Sequence, residues 1–65
     1  MKKYQKRVIE EKKELEKKVV KLVDFLYSDH EIDPDEKTRL REQLSAMKDY
    51  LNVLIERIDN FEQDE

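Results

Sequence analysis

Tyr4, Arg7, Gln43, Met47, Tyr50 and Arg57 are the residues of this chain whose chemistry could reach beyond packing. A tyrosine face or a guanidinium plane stacks on a nucleobase, and arginine forks a phosphate through two parallel hydrogen bonds. Glutamine both donates and accepts at a base edge, and methionine adapts to a flat apolar surface. In "LREQLSAMKDYLNVLIERIDNF" the residues Gln43, Met47, Tyr50, Leu54 and Arg57 follow one another at helical spacing and form a ladder. Tyr4, Arg7, Glu11, Glu14 and Lys18 make the corresponding edge on the first half. These are parts of a nucleotide site without the loop that cradles phosphates, because the chain has no glycine. On spacing alone a plainer reading is stronger. It makes Met47 a core residue, Tyr50 a half-buried flank residue and Arg57 a cap on an acidic neighbour.

Catalysis finds little material. Ser28 and Ser45 have no histidine placed to activate them, and His30 stands in a turn, where a solvated or capping role is expected. There is no cysteine, and one histidine is too few for the usual zinc site. The acids of "DHEID" match a calcium loop in charge only, without its ligand order or glycine. The expectation is a protein that is not an enzyme and that uses no cofactor and no metal.

The elements that must position the ladder are two helices. Leu40, Leu44, Met47, Leu51, Leu54, Ile58 and Phe61 recur at alternating spacings of four and three, an amphipathic stripe of coiled-coil type. Its start is written in "DPDE": Asp33 as N-cap, Pro34 at the first helical position and Glu36 placed to complete a capping box. Residues 34–62 then make a rod of about 43 Å. On the first half Val8, Leu15, Val19, Leu22 and Leu26 share one seam, with Lys12 as its single miss, and no breaker interrupts residues 2–28. The short polar link "SDHEID" forces the two helices antiparallel. The fold class is therefore all-α: one domain, residues 1–65, built as a two-helix hairpin with helices at about 2–28 and 34–62. In that register Tyr4 and Arg7 come near the Tyr50–Arg57 end, so two aromatic rings and two guanidinium groups gather at the open end of the hairpin.

Size and charge bear on partners. A chain of 65 residues without disulfide or metal has a marginal core by itself. Ile9, Val20, Val23, Phe25, Tyr27, Val53 and Ile55 lie off the seam, and so much unpartnered apolar surface marks an interface. A homo-oligomer of hairpins, a helical bundle, is the expectation. The net charge is −3, but residues 1–21 carry nine Lys or Arg against four Glu, and the remainder carries five against thirteen acids. Antiparallel pairing lays the basic start of helix one beside the acidic end of helix two, near Glu56, Asp59 and Glu62, so the stripe has a structural use as well as a possible anion-binding one. The acidic second half argues against duplex nucleic acid as a partner. No apolar run is long enough for a bilayer span and no signal peptide is evident, so no membrane partner and a cytoplasmic location are expected.

The segments "YQKRVIEEKKELEKKVVKLVDFL" and "RLREQLSAMKDYLNVLIERIDNF" resemble a family of small helical-hairpin proteins of phages and prophages, crAss-like phages among them. The likeness spans almost the entire chain. That architecture is similar to the phage sponge proteins of the anti-CBASS and anti-Thoeris hairpin group, which oligomerise and sequester cyclic oligonucleotides or cyclic ADP-ribose derivatives made by bacterial immune systems. The resemblance implies a phage-encoded binder in the cytoplasm of an infected bacterial host, one that hides a cyclic nucleotide signal without cleaving it. It implies that Tyr4 or Tyr50 stacks bases, that Arg7 and Arg57, together with Lys3 or Lys18, hold phosphates, and that Gln43 reads an edge, with Met47 beside them. The alternative is a structural or regulatory oligomer that binds a protein partner.

Overall fold

The computed structural model describes residues 1–28 and 31–61 of the chain. Helix α1 runs Lys3–Tyr27 and helix α2 runs Pro34–Asp59, and among the described residues there is no strand. Contacts such as Tyr4 with Phe61 and Glu11 with Tyr50 set the helices antiparallel, in a rod of 49 × 15 × 13 Å. The hairpin expected from the spacing is thus formed, with α1 one residue shorter at each end than residues 2–28 and α2 ending at Asp59, short of the expected 62. His30 and the last expected helical position, Glu62, lie outside the described residues.

Each helix end shows why it stops. The first turn of α1 holds no acid, so nothing there offsets the positive end of the dipole. Gln5 accepts instead, its Oε1 taking the Lys2 backbone N–H at 2.9 Å and satisfying one of the orphan donors. At the other end Ser28 is extended; its N–H donates to the Asp24 carbonyl at 2.9 Å and its hydroxyl to the Phe25 carbonyl at 2.7 Å. Helix α2 starts with Pro34 in its first turn, as the sequence predicts. The expected capping box does not form. Asp33 makes no side-chain cap bond, and Glu36 turns along the helix to Arg39 at 3.1 Å, an i,i+3 partner within easier reach than the N-cap backbone. Asp35 and Glu36 still place two negative charges in the first turn, where the dipole favours them.

The core is Val8, Leu15, Leu54 and Phe61, with Ile9, Met47, Leu51 and Ile58 half-buried against it. All of these belong to the open half of the hairpin. Toward the turn the seam continues through Val19, Leu22, Leu26, Leu40 and Leu44, and every one is only half-buried. Lys12, the single miss in the α1 seam, is half-buried too and meets Glu16 at 3.7 Å. A half-buried lysine of this kind lays its aliphatic stem along apolar surface and keeps its ammonium in water. The seam also extends one turn further back than its apolar residues show. Gln5 is 0 % exposed, and its Nε2 has no hydrogen-bond partner.

Candidate functional site at the open end of the hairpin

Tyr4 sits in the first full turn of α1 and Arg57 in the last turn of α2, so antiparallel packing makes them neighbours. Tyr4 meets Phe61 edge to face, with centroids 5.9 Å apart and planes at 83°. Such a pair contributes about 0.5–1.5 kcal/mol beyond simple burial and holds the Tyr4 ring at a fixed angle. Beside it lies a groove of about 330 Å³ lined by Tyr4, Val53, Glu56, Arg57, Asn60 and Phe61. Tyr4 and Phe61 supply aromatic surface, Val53 an aliphatic one, and Arg57 and Glu56 one charge of each sign. Asn60 has a local task as well: its Nδ2 donates to the Glu56 carbonyl at 2.7 Å and closes the end of α2.

A second level lies one heptad along. The Tyr50 hydroxyl donates to Oε1 of Glu11 across the hairpin. That bond holds the Tyr50 hydroxyl above the ordinary tyrosine range. Partial desolvation and the Glu11 charge push the same way, and Arg57 opposes them. A further heptad brings Lys18 level with Gln43, both exposed. The Gln43 Nε2 is turned along its own helix, donating to the Met47 sulfur at 3.8 Å. Tyr4 with Arg57, Glu11 with Tyr50 and Lys18 with Gln43 are therefore three rungs on one face.

The residues singled out by type and spacing are separated by this geometry. Tyr4 and Arg57 share the groove. Tyr50 is about 10 Å from Arg57 along α2 and is joined to Glu11. Arg7 is exposed one turn after Tyr4. Met47 packs against the core, about 15 Å from Arg57 along the helix, and Lys18 and Gln43 stand on the far rung. Phe61, Val53, Glu56 and Asn60 complete the groove and were not foreseen as site residues. Phe61 is the last position of the α2 stripe, and a seam residue at an open helix end is the signal that could have found it. Val53 was grouped with Ile55 as interface surface, yet Val53 lines the groove.

Among the described residues no helix is long and apolar enough to cross a membrane. No curated protein and no solved structure matches the chain. One family model does match, described as Sequestin, over residues 2–60. The match takes in both helices and every residue that lines the groove except Phe61, and by it the chain belongs to the Sequestin family.

Proposed function

We propose that this protein is a non-enzymatic sponge: it binds a cyclic nucleotide signal, a cyclic oligonucleotide or a cyclic ADP-ribose derivative, and withholds it without breaking a bond. The supporting observation is the open-end groove, where a Tyr4 ring fixed by Phe61 stands beside the Arg57 guanidinium in a member of a family whose name denotes sequestration. Tyr4 offers a stacking surface and Arg57 a phosphate fork, with Arg7 one turn away as a second cation. The volume of about 330 Å³ is at the small end of ligand sites, so one hairpin covers part of a dinucleotide and leaves the rest to solvent or to another copy. Sequestration needs affinity and amount of protein, with no general base or nucleophile. On this reading the protein is phage-encoded and works in the cytoplasm of an infected bacterium, against a CBASS or Thoeris signal.

The test is to incubate the protein with a panel of cyclic di- and trinucleotides and cyclic ADP-ribose isomers, remove it by filtration, and assay the filtrate. A sponge depletes one class of ligand, and heating the retained complex returns it intact. Arg57→Glu, checked for helicity, replaces a phosphate partner with a repelling charge and abolishes depletion. Recovery of a cleaved product, or no depletion of any member of the panel, overturns the proposal.

A further inference from the structure

The turn end of the rod holds a second groove of about 490 Å³, larger than the one at the open end and well inside the range of small-molecule sites. Leu26, Tyr27 and Ser28 from the end of α1 line it on one side, and Lys37, Arg41 and Leu44 from α2 on the other. Leu26 and Leu44 are seam residues that the hairpin leaves half-buried. The Tyr27 ring is 86 % exposed, so protein covers almost none of its face. No acid lines the groove among the described residues.

The two cations are the chemistry of this groove. Lys37 and Arg41 stand one turn apart on α2, about 6 Å along its axis, so both heads reach one acidic group. Neither makes an ion pair among the described residues, where the pairs are Lys12 with Glu16 and Arg39 with Glu36. Lys37 is half-buried as well, and a cation partly withdrawn from water without an anion is incompletely compensated. Part of the compensation comes from α1. Its last turn holds no base, so the cations of α2 stand beside the unopposed negative end of its dipole. That attraction is weaker than a charge-assisted hydrogen bond and leaves their donors available.

We infer that this groove binds a small amphipathic anion: a ring or short chain that lies on Leu26 and Leu44 beside Tyr27, with a single acidic head held by Lys37 and Arg41. A nucleotide is the poorer fit here. Its base edge and ribose hydroxyls call for amide or carboxylate partners, and no such side chain lines this groove among the described residues. The Ser28 hydroxyl has already given its hydrogen to the Phe25 carbonyl. The open-end groove is different in kind, because Glu56 and Asn60 line it. Lys37 is about 30 Å from Arg57 along α2, so this site holds or fails independently of the sponge reading.

The probe is naphthoate, followed by two-dimensional NMR of the full chain in dilute protein, where another copy does not compete for Tyr27. The methyls of Leu26 and Leu44 and the Tyr27 ring should shift together along one saturable curve. Uncharged naphthamide, with the same rings, should bind about tenfold more weakly or worse, because it gives up the charge-assisted bonds. Lys37→Gln and Arg41→Gln, each checked for helicity by circular dichroism, should weaken naphthoate by a similar factor, while Arg57→Gln leaves it unchanged. No saturable shift overturns the inference, and so do shifts that gather at Val53 and Tyr4 instead. Equal affinity for naphthoate and naphthamide, or full affinity in both glutamine variants at the turn, means that any exposed apolar surface serves and overturns it too. AMP that binds as tightly as naphthoate, with the same sensitivity to Arg41→Gln, makes the groove a nucleotide site and overturns the ligand class. Where a variant unfolds, the naphthoate–naphthamide comparison on the wild type decides alone.

Discussion

The hydroxyl of Tyr50, donated across the hairpin to Glu11, ties a half-exposed ring to a fixed carboxylate. A neutral tyrosine is the form that can donate this bond, which is why its pKa is raised. Because the folded value lies above the unfolded one, the contribution to stability is complete below the unfolded pKa near 10 and is lost as pH rises through the folded one. Ultraviolet titration should therefore show one tyrosine ionising later than the rest. Tyr50→Phe should remove that late component, and Glu11→Gln should move it back toward the ordinary range. A late component that survives Tyr50→Phe would assign it to another ring. Gln5 gives the second residue-scale prediction. Its amide nitrogen is buried and unpartnered, a desolvation cost of about 1–3 kcal/mol, against one cap bond made by its Oε1 and worth about 0.5–1.5 kcal/mol. Gln5→Leu keeps the burial and removes the orphan, so it should stabilise the hairpin by about 1 kcal/mol in thermal or urea unfolding. A loss of stability would mean that water satisfies the nitrogen in solution.

At the scale of the helices, periodicity was readable and chemistry at the ends was not. The α2 stripe could be traced from Leu40 to Phe61 because apolar positions repeat without a gap, and the proline at position 34 marks its start. Gln5 was missed because a polar residue at a seam position looks like the end of the seam; only its burial shows that the stripe continues. The capping box failed because spacing permits the Asp33–Glu36 exchange but cannot show that Arg39 takes the carboxylate. The rungs were half legible. Both edges could be listed, but joining Glu11 to Tyr50 requires the register, which depends on the turn and on how the seams interlock. These distinctions separate two substitutions. Asp33→Ala at a cap usually costs about 0.5–2 kcal/mol; here, with no side-chain cap bond to lose, it should stay within a few tenths. Leu54→Ala empties the one apolar position with 0 % exposure among the described residues and should cost about 2–5 kcal/mol, enough to unfold so small a domain. Circular dichroism melts of the pair check both, and equal effects would show that the cap or the core has been misplaced.

At the scale of the whole molecule, burial is uneven along the rod. Among the described residues the buried ones, Gln5, Val8, Leu15, Leu54 and Phe61, all lie in the open half, while the seam of the half nearest the turn offers only half-buried leucines and valines. A hairpin is usually pinned by its turn, and this one is packed tightest where its two ends meet. Local opening depends on the contacts that must be broken, so amides near the turn should open at lower cost than those at the open end. The same half carries Val20 and Tyr27, exposed apolar residues on the surface expected to meet another copy. Two measurements thus join in one experiment, hydrogen exchange followed by mass spectrometry over a range of protein concentrations. In dilute protein, residues 18–27 and 38–46 should exchange faster than residues 5–15 and 48–58. As concentration rises and copies pair, protection in the turn half should climb toward that of the open half, while the open half changes little. Uniform exchange at every concentration would mean that the core runs evenly along the rod. Concentration-dependent protection confined to the open half would place the contact between copies there, where Ile9 and Ile55 lie as well as Tyr4 and Arg57.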